Sequence, residues 1–263
     1  MKKFFLACSL LFCTLAYSNP VETGHARASL ITNLQDSQQE SFYLGVRLEM
    51  QEGWHTNWEN PGDSGTPFDA QWNDDQGIIV ENVEWPTPVT IPYPPLMTFG
   101  YEGDVVFPFK VFRAIDSDLS SITVDFNFLI CADICIPEKA SLTLDLSSAL
   151  PNFLVDEAIK NLPTDFVQTQ SVVEGDNLKI TFKSSQPINS AYFFPRQDNL
   201  FTYTPTQQLI SLGENSYEII IPVLKDEVAS FSGILSINGE GFQIEEKLKS
   251  SSSMSLWQPY CLL

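Results

Sequence analysis

Basic residues are scarce in this chain. Its 263 residues hold 14 lysines and arginines against 33 aspartates and glutamates, a formal net charge of −19. A surface of that sign argues against nucleic acid and anionic lipid as partners. Histidine is rarer still, with two, so a zinc site needing four convergent ligands has little to draw on. The apolar run from Phe4 to Ala16 is too short to span a bilayer, which takes about 20 residues. The tail, 254–263, is shorter again. Cysteine is sparse: of five, Cys8 and Cys13 lie inside the N-terminal run, which leaves Cys131, Cys135 and Cys261. What is present points to a folded protein, because aromatic residues make up 12% of the chain and charged ones an ordinary 18%. Such a composition is not that of a disordered segment, whatever the net charge.

Lys2 and Lys3, the apolar run after them, and the small residues Ala16 and Ser18 at the end of Ala16-Tyr17-Ser18 form the pattern of a secretory signal peptide over 1–18. Cys8 follows Phe5-Leu6-Ala7, a poor fit to a lipoprotein processing site. The mature protein is expected to begin near Asn19 and to reside in a bacterial periplasm, where disulfides persist. Its roughly 245 residues suit two domains of about 100 to 130 residues each.

Nearly all the remaining pattern is β. The stretches 41–50, 104–112 and 140–146 read as strands, and Pro, Gly, Asp and Asn clusters separate them, as expected for a sandwich. One helix is predicted from Asn152 to Asn161, with Phe153, Val155, Ile159 and Leu162 near helical spacing and Pro163 as its stop. It lies where a connector between domains belongs. The β-pattern then resumes and ends in Ile234-Leu235-Ser236-Ile237-Asn238-Gly239 and Phe242-Gln243-Ile244-Glu245. Asn-Gly between alternating strands is a strong hairpin signal. The reading is therefore all-β, with two tandem β-sandwich domains joined by a short helical connector. The expected limits are 19–149 for the first domain, 150–165 for the connector, 166–249 for the second domain, and 250–263 for a Ser-rich linker and tail.

The feature that points to a chemistry is Cys131-Ala132-Asp133-Ile134-Cys135, which follows the alternating stretch 122–129 where a strand gives way to a turn. A turn can bring two cysteines this close in sequence into disulfide range. Closing so small a loop stabilises by only about 2 kcal/mol, so such a bridge is suited to being made and broken. A thiolate attacks a disulfide sulfur through a mixed disulfide, and no cofactor is needed. Asp133 and Glu138 lie beside the pair in sequence and would disfavour a thiolate there, which makes the partner's cysteine the expected attacker. Two other readings of the pair stay open. One is an inert staple in a non-catalytic binding or assembly domain. The other is a copper-handling site, in which Cys131, Cys135 and Met97 supply soft sulfur. His55, in Gly53-Trp54-His55-Thr56-Asn57-Trp58, is a candidate metal ligand or base for Cys131, but a histidine between two indoles reads first as a packed structural residue.

Three motifs in order, Gly53-Trp54-His55-Thr56-Asn57-Trp58-Glu59-Asn60-Pro61-Gly62-Asp63-Ser64-Gly65, Phe99-Gly100-Tyr101-Glu102-Gly103-Asp104-Val105-Val106-Phe107-Pro108 and Cys131-Ala132-Asp133-Ile134-Cys135-Ile136-Pro137, resemble the N-terminal periplasmic region of the DsbD/ScsB family of thiol:disulfide interchange proteins, most closely its ScsB-like branch. The second half of the chain matches more weakly. The resemblance implies an immunoglobulin-like fold. It also implies a redox pair, Cys131 and Cys135, that takes electrons from a membrane-embedded electron-carrying domain and hands them to periplasmic thioredoxin-like proteins. It further implies that Phe99 or Tyr101, in a loop 97–101, caps the disulfide. Family members continue beyond this region into a transmembrane domain, and Ser255-Leu256-Trp257-Gln258 looks like its first residues, so electrons would come from a separate or missing membrane module. Cys261 receives no role.

Overall fold

A computed structural model describes residues 19–248 apart from 37–38, 74–76, 115–119, 166–168, 205 and 225–227. The expected signal peptide, the serine-rich tail and Cys261 lie outside the described residues. The first part of the chain contains β1 (Val21–Glu22), β2 (Ala26–Thr32), β3 (Ser41–Met50), β4 (His55–Gly62), β5 (Asp69–Trp72), β6 (Ile78–Val80), β7 (Val89–Tyr93), β8 (Leu96–Glu102), β9 (Asp104–Arg113), β10 (Ser121–Cys131) and β11 (Cys135–Asp145). They form two sheets, ordered β1-β2-β3-β9-β6 and β11-β10-β4-β8-β7, with β5 also paired to β10. Alternation decides which face is buried. On β10 the even positions Ile122, Val124, Phe126, Phe128 and Ile130 are all within 3% of full burial, and they meet Leu44, Val46 and Phe107 from the facing sheet in one core.

Helix α1 (Phe153–Lys160) follows. Asn152 caps it by accepting from the Leu154 N–H, with Asp156 in the first turn and Lys160 in the last, each sign where the helix dipole favours it. Its buried Val155 packs onto the first sandwich. A side chain at Gly45 of β3 would come within 3.2 Å of Val155.

The rest of the chain forms β12 (Thr164–Asp165), β13 (Thr169–Glu174), β14 (Asn177–Lys183), β15 (Ala191–Pro195), β16 (Gln208–Gly213), β17 (Ser216–Pro222), β18 (Ser230–Ile237) and β19 (Glu240–Lys247). These make two four-stranded sheets, β12-β19-β18-β15 and β13-β14-β17-β16. The chain is thus all-β, two tandem sandwiches with one short helix between them among the described residues. β12 pairs in parallel with β19, so Thr164 and Asp165 are part of the second sandwich's sheet. At the β18–β19 turn Asn238 and Gly239 take φ of 51° and 90°, the left-handed pair a two-residue hairpin requires.

The segment 97–101, expected as a loop, is strand β8, and Phe99 and Tyr101 are not a cap over the disulfide. Phe99 is fully buried where the two sandwiches meet, edge-on to Tyr203, Phe194 and Tyr192 at centroid distances of 5.1, 5.2 and 5.8 Å. Tyr101 points into the first sandwich. It packs on Phe107, and its hydroxyl donates to the Pro86 carbonyl at 2.8 Å. Burial pushes that hydroxyl's pKa well up, which keeps it a donor. The physical reason for both positions is the closeness of β8 to β4, where a side chain at Gly100 would sit 2.1 Å from the Thr56 carbonyl oxygen. Asn60 and Glu59 of β4 complete the junction. Asn60 donates to the Pro195 carbonyl at 2.7 Å and lies 3.1 Å from the Tyr203 hydroxyl, while Arg196 donates to Glu59 at 2.7 Å.

Candidate functional site

Strands β10 and β11 form one unbroken antiparallel hairpin that ends with Cys131 directly opposite Cys135. Their Cα atoms are 4.1 Å apart and the two sulfurs are bonded. Ala132, Asp133 and Ile134 make the turn, closed by the Ala132 N–H donating to the Ile134 carbonyl at 3.0 Å. The two cysteines differ in exposure: Cys131 is 1% exposed, whereas Cys135 is open to solvent. Ile134 beside it is 65% exposed, an apolar side chain at the tip of the hairpin.

The neighbours of the pair follow from register. Cys131 is the cross-strand partner of His55 on β4, and His55 is the partner of Glu102 on β8. Directly opposed residues share a sheet face, so Glu102, His55, Cys131 and Cys135 form a row across four strands. The Thr56 hydroxyl donates to the Leu129 carbonyl at 2.9 Å, a further tie between β4 and β10 next to the row. Burial lowers the His55 pKa, with the Glu102 carboxylate pulling the other way. Two residues along the same face, Leu129 opposes Pro137. A cleft of about 390 Å³ opens there, lined by both and walled by Thr66 and Pro67.

Glu138 does not bear on the sulfurs as its sequence position suggested. It stands three residues from Cys135 on β11 and so projects from the other face. There the Thr23 hydroxyl donates to it and His25 Nδ1 approaches at 2.7 Å, with the His25 ring stacked on Trp54 at 3.8 Å. This cluster ties the N-terminal hairpin to β11. Met97 is also remote from the pair. It lies five residues before Glu102 on β8, about 17 Å along a strand at ~3.3 Å per residue, so the proposed sulfur set for copper does not converge. His55, read first as a packed residue, is the side chain the structure does bring to Cys131. Sequence offered no direct sign of this contact, because the two are 76 positions apart and only the β4–β10 register joins them.

An all-β tandem sandwich that carries a cysteine pair across the turn end of a hairpin defines an immunoglobulin-like domain with an accessible disulfide. Residues 27–147, which make up most of the first sandwich, match the family described as Thiol:disulfide interchange protein DsbD, N-terminal. The fold is similar to the crystal structure of the N-terminal periplasmic domain of ScsB from Proteus mirabilis, with a TM-score of 0.69 and 19% identity over 86% of this chain and 94% of that one. At this identity the likeness is one of fold. It extends over both sandwiches, including the half where the motifs were weak. No curated protein matches the chain significantly.

Proposed function

We propose that this chain is a periplasmic thiol:disulfide exchange module that takes reducing equivalents from a membrane-embedded electron carrier and passes them to thioredoxin-like partners through Cys131 and Cys135. The match of the first sandwich to the interchange family supports the class of reaction. The observation that carries the assignment of residues is the asymmetry of the pair, with Cys135 open at a hairpin tip and Cys131 buried. An incoming thiolate can reach Cys135 Sγ. Its attack forms a bond to that sulfur and breaks the Cys131–Cys135 bond, and the electron pair leaves on Cys131 Sγ. A second thiol of the donor then attacks the donor's own sulfur in the mixed disulfide and releases Cys135. The module has gained two electrons and, after protonation, two protons. Discharge to a partner disulfide is the same sequence reversed. Exposed Ile134 and the cleft along Leu129 and Pro137 offer apolar surface against which residues flanking a partner's cysteine can pack.

The first test is the reduction potential of the pair, by equilibrating the mature protein in glutathione or dithiothreitol buffers and counting alkylated thiols by mass. An exchange module should fall at roughly −180 to −270 mV, and a structural staple below about −300 mV. Trapping then assigns the sulfurs. Cys131→Ala, which leaves Cys135 unable to resolve, is expected to accumulate mixed disulfides with thioredoxin-like proteins, and Cys135→Ala to accumulate none. The reverse pattern would overturn the assignment of Cys135.

A further inference from the structure

Exchange at this pair raises a problem of proton supply. Attack on Cys135 expels Cys131 as a thiolate at a position 1% exposed, and a thiolate shut away from water is disfavoured unless a proton or a cation meets it. The return step has the opposite need, because the buried Cys131 thiol must lose its proton before it can attack the mixed disulfide at Cys135. One titratable side chain faces Cys131 across the strand pair on the same sheet face, and that is His55. On its other side stands Glu102, the charged group that acts on the imidazole. Side chains directly opposed in antiparallel strands have Cβ atoms about 4.5–5.5 Å apart, within reach of an imidazole nitrogen and a sulfur.

We propose, building on the exchange reading, that His55 carries the proton that Cys131 gains and loses in each cycle, with Glu102 as the group that steadies its charged form. When an incoming thiolate takes Cys135, the imidazolium of His55 gives its proton to the departing Cys131 sulfur and becomes neutral; solvent then reprotonates it. When the pair closes again, neutral His55 takes the proton from the Cys131 thiol. The resulting thiolate attacks Cys135 Sγ and the partner leaves as a thiolate. No oxidant or metal enters either step. Burial favours the neutral imidazole, which suits it to accept, and the Glu102 carboxylate keeps the cationic form within reach.

The test uses the oxidised mature protein and dithiothreitol as the attacking thiol. The rate of disulfide loss is followed by mass from pH 5 to 9 and divided by the thiolate fraction of the reagent. In the wild type the normalised rate should fall as pH rises through the titration of His55. His55→Gln should flatten that profile and lower the acid-side rate by roughly tenfold or more, since general acid–base assistance reaches 10²–10⁴ and thiolates already leave well. Glu102 is exposed, so Glu102→Gln keeps the fold, and it should move the inflection to lower pH. If His55→Gln reacts with the wild-type rate and profile, or if Glu102→Gln leaves the inflection in place, His55 does not carry the proton, even though a wild-type potential in the exchange range would leave the exchange reading intact. A wild-type potential below about −300 mV would instead remove the exchange reading itself.

Discussion

Strands β4 and β8 run side by side, and their two ends do opposite things. At one end His55 pairs with Glu102 and borders the disulfide, beside a sulfur open to solvent. At the other, Asn60 and Phe99 are fully buried under the second sandwich, held by Pro195 and by the rings of Tyr192, Phe194 and Tyr203. Phe99, expected over the disulfide, packs at the joint between domains. The disulfide end keeps a histidine, a carboxylate and two cysteines. The second domain therefore grips this sheet at the end away from the sulfurs.

The largest effect is expected at the gripped end. Phe99→Ala removes a fully buried ring that touches three others, and truncations of this kind cost about 3–5 kcal/mol. Urea unfolding should show that loss. The reduction potential of the Cys131–Cys135 pair should stay where it is, because the sulfurs lie beyond Glu102 on the far side of the strand pair. A shifted potential would break the comparison, since it would mean that the two ends are one mechanical unit.

Much of this arrangement could be read from the chain before folding. The strands at 41–50 and 104–112, the helix ending before Pro163, and the Asn238-Gly239 turn are local signals, set by residues that touch their near neighbours in sequence. The cysteine hairpin was legible for the same reason, since its partners are four positions apart. What was misread depended on distant register. The resemblance implied a loop at 97–101, but the segment is a strand, and glycine stands at 100 because β4 passes too close for a side chain. Phe99 owes its place to Tyr192, Phe194 and Tyr203, about a hundred residues later. Glu138 seemed to flank Cys135 until the pleat turned it to the other face, toward Thr23 and His25. Nothing in a single sequence says that His55 will be laid beside Cys131.

A smaller effect belongs to the open end. Reducing the disulfide, or replacing both cysteines by alanine, should lower stability by about 2 kcal/mol, the entropy of so short a loop. The difference between oxidised and reduced unfolding midpoints in urea measures it. A loss near that of Phe99→Ala would mean that the bridge holds the hairpin together, which is the behaviour of a staple. A loss near the small-loop value leaves the β10–β11 ladder, paired at every position from Ser121 to Cys131, as what maintains the hairpin when the bridge is open.

The smallest expected effect comes from His55 itself. Burial lowers its pKa in the folded chain relative to an ordinary histidine near 6.5, so the folded state binds its proton more weakly than the unfolded one. The sign follows from linkage: the contribution is fully present above about pH 6.5 and is lost as pH falls through the depressed folded value, because charging the buried ring then opposes folding. Urea midpoints taken at falling pH should therefore decline more steeply for the wild type than for His55→Gln, which has no ring to charge. Glu102→Gln should steepen the decline, since it removes the carboxylate that offsets the burial. If instead the wild type and His55→Gln decline in parallel, His55 is not held neutral against Cys131, and the open end of the strand pair is no more selective for charge than the rest of the surface.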